Sequence, residues 1–227
     1  RLPKVVSGIR RETERLGGTV FFSTRLDGII TDRGRLCGIR AAGPKGREEL
    51  ECTHMICAVG HSAEDTQRML HQAGVSMTGK PFSIGVRIEH PQSLINQAQY
   101  GRFAESGDLP PAEYRLSTHL KNGRGVYTFC MCPGGSVVGA ASRPGGVCTN
   151  GMSPYRRDGP NANSAVLTDV RVEDFPSSDP LSGYALQRQI EKNAFAAGGG
   201  GYRAPVQRVE DFLLDRRSRH TGSLVQP

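Results

Sequence analysis

The apolar runs in this 227-residue chain are all short, and Met55-Ile56-Cys57-Ala58-Val59 is typical of the longest. A membrane helix needs roughly 20 consecutive apolar residues, so no membrane span is expected. Short runs broken by 29 Gly and 14 Pro describe brief strands and helices joined by many turns. Leu, Ile, Val and Phe total 49 residues, just above the ~20% below which chains tend to be disordered. The formal charge of +7 comes from 29 Lys and Arg against 22 Asp and Glu, and it is spread evenly. Residues 1–65 hold 11 basic and 9 acidic groups, and residues 66–202 hold 13 and 10. A nucleic-acid footprint would gather its cations on one stretch, so no nucleic-acid partner is expected.

Six cysteines (37, 52, 57, 130, 132 and 148) lie in a chain with no signal-peptide pattern, several of them inside apolar runs. They read as reduced thiols of a cytoplasmic protein. The chain opens at Arg1-Leu2-Pro3 and closes on the Arg-rich stretch Arg216–Pro227, which offers nothing to pack. Both ends suggest a piece of a longer protein.

Val5, Val6, Ile9, Thr13 and Leu16 recur at helical spacing, and Gly17-Gly18 ends the pattern. Strands are expected at Thr19–Thr24, Leu26–Thr31, Leu36–Ala42 and Glu48–Thr53, with turns at Asp32-Arg33-Gly34 and Gly43–Gly46. His54–Val59 has the unbroken apolar character of a strand buried on both faces. Ser62 is the expected N-cap of a helix that Gly74 closes. The character changes near residue 66. Beyond it come a strand at Pro81–His90, a helix at Pro91–Tyr100 and a polar loop at 101–113. Strands follow at Tyr114–Leu120, Gly125–Met131, Ser136–Ser142 and Ala165–Val172, then a helix at Pro180–Ala197 stopped by Gly198–Gly201.

Five strings could carry chemistry. Ile56–Ser62 ends a strand in small residues and Gly, where backbone can approach a ligand and a following helix can face phosphate; a plain strand-to-helix turn fits as well. Cys130-Met131-Cys132 would place both thiols on one strand face, as buried packing, as a substrate-pocket lining, or as two ligands of a metal module completed by Cys148 and His119. Thr149–Ser164 is dense in donors and acceptors and reads either as a surface loop or as a binding loop, with paired Arg156-Arg157 able to hold an anion. Arg87 and Glu89 share a strand face, at a spacing that also suits an exposed ion pair. Gly198–Arg208 reads as a helix stop and hinge. No G-x-G-x-x-G fingerprint, P-loop or nucleophile–base pair is present.

Taken together, Cys57–Ala63, Lys80–Pro91, Gly125–Gly135, Thr149–Ser153 and Ala204–Arg208 closely resemble the bacterial FAD-dependent dehydrogenases, flavoproteins with a two-dinucleotide-binding type of FAD fold. The likeness runs over about residues 4–227. It implies an α+β chain: residues 1–65 a partial α/β, Rossmann-like FAD-domain segment with a β-meander, residues 66–215 an inserted substrate domain with a mixed or antiparallel sheet, and residues 216–227 a tail returning to the FAD domain. Arg25, Leu26, Ala58, Val59, Gly60, His61 and Ser62 are then the cofactor-side residues, with Val59 standing where the family usually has Thr. Cys130, Cys132 and Arg157 would form the reactive side of the pocket, and Arg87, Asn150, Ser153, Gln207 and Arg208 would bind a small, anionic substrate. The implied reaction is hydride exchange with FAD, with NAD(P) or another carrier as electron partner. The glycine fingerprint and the C-terminal FAD-closing segment are absent, so this piece alone is expected to hold FAD weakly and to be catalytically silent. The rival readings are the metal module and a non-enzymatic interaction domain.

Overall fold

The structure is a computed structural model that describes residues 2–221. The chain folds as two compact units, Arg1–Met77 and Thr78–Pro227, and its helices and antiparallel sheets make it an α+β protein.

The first unit opens with helix α1 (Leu2–Arg15). Gly17, at φ +88°, ends it, with the Gly18 N–H donating to the Thr13 carbonyl and the Gly17 N–H to that of Glu14. This is a Schellman closure, and glycine supplies its left-handed residue without a Cβ penalty. Three antiparallel strands follow in the order β1 (Arg25–Asp32), β2 (Arg35–Gly43), β3 (Gly46–Glu51). The β1–β2 turn is Arg33-Gly34, with φ of +47° and +77°. Two left-handed residues give the turn twist that matches paired strands. Helix α2 (Glu64–Gln72) lies against β1, burying Thr66 and Leu70.

Three expectations for this unit fail. Thr19–Thr24 and His54–Val59 form no strand, and Ile56 is 95% exposed. Apolar, β-prone residues make a strand only where a neighbouring ladder takes their N–H and C=O groups; among the described residues none pairs with either segment. The third correction concerns Ser62. Ala63 occupies the N-cap of α2, and no side chain caps it.

The second unit is built on a four-stranded antiparallel sheet in the order β4–β9–β6–β5: β4 (Phe82–Pro91), β5 (Ser117–His119), β6 (Gly125–Cys132) and β9 (Asn161–Val170). Helix α3 (Gln92–Tyr100) follows β4 and packs on β4 and β9. Strands β7 (Ser136–Gly139) and β8 (Thr149–Met152) form a ribbon packed across β4, β6 and β9. Helices α4 (Ser182–Ala197) and α5 (Val209–Leu213) complete the unit.

The centre of this unit is polar. Asn163 and Ser164 are wholly buried, and Asn161 nearly so. The loop reading of 149–164 therefore gives way at both ends, to β8 and to the first half of β9. Buried polar groups are kept where partners exist. Asn161 Nδ2 donates to Glu89 Oε1 at 2.7 Å, and Ser164 Oγ to the Phe129 carbonyl at 3.3 Å. Gln92 works similarly: its Nε2 donates to the Ala112 carbonyl at 3.0 Å while its Oε1 accepts the Gly134 N–H at 2.8 Å. One buried carboxamide thus ties α3 to a loop and to the turn after β6. The stretch after α5 also packs, contrary to the sequence expectation. Arg216 Nε and Ser218 Oγ each meet the buried Asp211 carboxylate at 2.7 Å. Residues 222–227 of that stretch lie outside the described residues.

Candidate functional site

The sheet face carrying Arg87 gathers more of the anticipated residues than any other place. Register explains the gathering. Arg87 opposes Ala165, and Glu89 opposes Asn163, so these side chains share one face of β4 and β9. The Arg87 Nε donates to Asn163 Oδ1 at 3.1 Å, and its Nη2 donates to the Cys130 carbonyl at 2.8 Å. Gly151 of β8 closes over the pair. A Cβ there would stand 2.1 Å from Asn163 Oδ1 and 2.7 Å from the guanidinium carbon, so only glycine permits this approach. The alternative reading of an Arg87–Glu89 ion pair does not describe what holds Arg87; two neutral acceptors do.

The Cys130 carbonyl reaches Arg87 because β6 is irregular there. Phe129 opposes Ala165 while Cys132 opposes Asn163, so three steps on β6 match two on β9. Cys130 takes φ +50° inside this bulge, a conformation that costs a non-glycine residue about 1–2 kcal/mol. The bulge breaks the strand alternation and corrects the view that both thiols share a face: Cys130 is exposed and Cys132 is buried. Burial pushes the Cys132 thiol up, with nearby Arg87 opposing that shift. Cys132 is therefore a packed thiol that ionises less readily than a free one. Ser153 sits beside it, with its Oγ donating to the Pro133 carbonyl at 2.7 Å.

Other anticipated residues lie elsewhere. Arg157 has φ +56° and spends its guanidinium on an exposed pair with Glu113 at 2.6 Å. The Asn150 Oδ1 accepts the Gly151 N–H at 2.8 Å. Gln207 Nε2 donates to the Arg216 carbonyl at 2.8 Å, and Arg208 meets Glu210, Ser218 and His220; both serve the 210–220 segment. Cys130, Cys132, Cys148 and His119 make no metal site, since no three metal-ligating side chains converge among the described residues.

Sequence reasoning missed Asn163, which lay inside a polar string with no mark of its own. It also missed the pair formed by His90 Nε2 and the Tyr114 hydroxyl at 2.8 Å. Strand alternation puts that pair on the face opposite Arg87, and burial pushes the Tyr114 phenol up.

In the first unit, Arg25 and Leu26 belong to β1, with Arg25 Nη2 on Asp27 Oδ1 at 2.8 Å and both backbones paired to β2. Ala58–Ser62 is exposed, irregular chain, and Gly60 has φ +73° with open space where a Cβ would stand.

A family model described as FAD-dependent protein, C-terminal domain-like matches residues 81–227, and these residues hold the Arg87 cluster. The chain belongs to this FAD-dependent family. An uncharacterized protein of Clostridium beijerinckii is 49% identical over 227 residues, covering 99% of this chain and 42% of that protein. The chain thus spans less than half the length of this relative. Among the described residues no helix is long and apolar enough to cross a membrane.

The residues fit FAD in part. The open space at Gly60 leaves room for close approach to the backbone there. The diphosphate is another matter. The first turn of α2 carries Glu64 and Asp65, with no side-chain cap and no basic residue. Carboxylates complement a helix N-terminus and disfavour a second anion there, and of these two Glu64 is itself paired with Arg68 at 2.6 Å.

Proposed function

We propose that this chain is the substrate-side part of a FAD-dependent oxidoreductase. In this reading residues 1–65 contribute to the FAD domain, and residues 66–215 form the inserted domain that covers the flavin. FAD, when bound, supplies the two-electron centre that exchanges a hydride with a small substrate. Arg87 binds and orients that substrate. The buried Cys132 and the glycine-tight β8 ribbon keep water from the guanidinium's protein side. Exposed Cys130 forms the rim, and its carbonyl fixes the arginine.

The observation that carries this reading is Arg87 itself. It is a half-buried cation on the domain matched by the FAD-dependent family, and among the described residues it is held by neutral acceptors only. The complete protein tests it: purified with its cofactor, it should be yellow, and small anionic substrates should bleach the flavin band under anaerobic conditions. A colourless protein that nevertheless captures a macromolecular partner would replace this reading with the interaction domain.

A further inference from the structure

We infer that Arg87 and Asn163 form a subsite for a carboxylate attached to an apolar body, a deepening that rests on the substrate-domain reading above. The first observation is a cation with no carboxylate in direct contact. Arg87 is half-buried, yet no carboxylate pairs with it among the described residues. Glu89, two residues along the same face, receives Asn161 Nδ2 at 2.7 Å. Removing a cation from water is costly unless an anion or full hydrogen bonding compensates it. Arg87 spends Nε and Nη2 on neutral oxygens, and its Nη1 has no partner among the described residues.

The second observation is independent. Asn163 is wholly buried, and its Nδ2 has no hydrogen-bond partner among the described residues. Its Oδ1 is committed to Arg87, so the carboxamide cannot turn over to relieve the donor without losing that bond. A buried donor without an acceptor therefore lies beside a guanidinium whose Nη1 is free to take one. An acceptor-only group with several lone pairs meets that need, and a carboxylate is the planar partner that a guanidinium fork matches. Phe129 supplies the apolar side. It opposes Ala165 in register with Arg87 and is 59% exposed.

Benzoate and its neutral analogue benzamide probe the subsite, by calorimetry on the complete protein as purified. Benzoate should bind and benzamide should bind at least tenfold more weakly, with Arg87→Gln lowering benzoate affinity by about 10- to 100-fold, the range of hydrogen bonds to charged groups. Asn163→Asp keeps the shape and supplies the counter-ion from within. It should abolish benzoate binding in a protein that stays folded, although Glu89 opposes this position in register. Equal binding of benzoate and benzamide, or unchanged benzoate affinity in a folded Asn163→Asp protein, would overturn the subsite. The two levels separate cleanly. Flavin bleaching by a substrate without benzoate binding sinks the subsite alone, and benzoate binding to a protein without flavin sinks the oxidoreductase reading alone.

Discussion

The two units order their strands by different means. In residues 1–77 each strand pairs with a neighbour across a two-residue turn, Arg33-Gly34 or Pro44-Lys45. Little is buried as a result: Leu2, Val5, Val6, Ile9 and Leu16 of the first helical stretch are all exposed. In residues 78–227 the central strand β9 pairs with β4 and β6, both distant in sequence, and its first four residues are buried. Turn chemistry fixes a local ribbon whatever surrounds it, whereas burial depends on partners that arrive from far along the chain.

Glycine substitutions should break this contrast most visibly. Gly134 has φ +52°, and a Cβ there would lie 1.9 Å from the Arg157 carbonyl oxygen. Gly134→Ala should destabilise the second unit by about 3 kcal/mol or more, combining left-handed strain with an unavoidable backbone clash. Gly60→Ala meets the same strain at φ +73° but open space, so its cost should stay near 1 kcal/mol. Hydrogen exchange read separately on peptides from each unit measures both. Equal losses would mean that the close-packed turn after β6 contributes no more than a free loop.

How much was legible in the sequence follows the same division. The α1 stripe, its Gly17 stop and the Arg33-Gly34 turn were readable because each signal lies within a few residues of its effect. Thr19–Thr24 and His54–Val59 carried strand composition, yet composition cannot say whether a ladder stands beside them. The reverse failure is more instructive for the site. Asn161–Ser164 resembles a loop, and only pairing with β4 and β6 turns it into the buried centre. Arg87 was legible as a candidate, but its partner Asn163 and the Cys130 bulge were not, since both arise from a register between strands far apart.

A second prediction sharpens the role of long-range pairing in residues 78–227. Asp174 receives Arg124 Nη1 and Nη2, each at 2.6 Å, and the Arg171 N–H at 2.8 Å. The fork from Arg124, then the Arg171 amide, holds its carboxyl at about 2, below the usual value. A carboxylate with a lowered folded pKa stabilises the fold above its unfolded pKa, and the effect disappears as pH falls through the folded one. The clamp should therefore be complete above about pH 4, near the ordinary aspartate value, and lost towards pH 2. Denaturant midpoints between these limits should fall more steeply for the native chain than for Asp174→Asn, and the two should converge at the acid end. Parallel curves would remove Asp174 from the acid response.

The smallest effect belongs to the meander. Arg40 and Glu49 face each other directly across β2 and β3, with Nε and Oε1 at 3.3 Å and side chains 54% and 68% exposed. Water and salt screen such a pair, and ordering two long side chains offsets most of its attraction. Glu49→Gln should change the stability of residues 1–77 by no more than about 0.5 kcal/mol, and the difference should vanish in high salt. The comparison with Arg87 gives this result its weight. Both arginines stand on antiparallel strands, but Arg40 meets a carboxylate in water while Arg87 meets neutral oxygens beside a buried carboxamide. A loss above about 1 kcal/mol on Glu49→Gln would mean that charge pairing, and not turn geometry, holds the meander together.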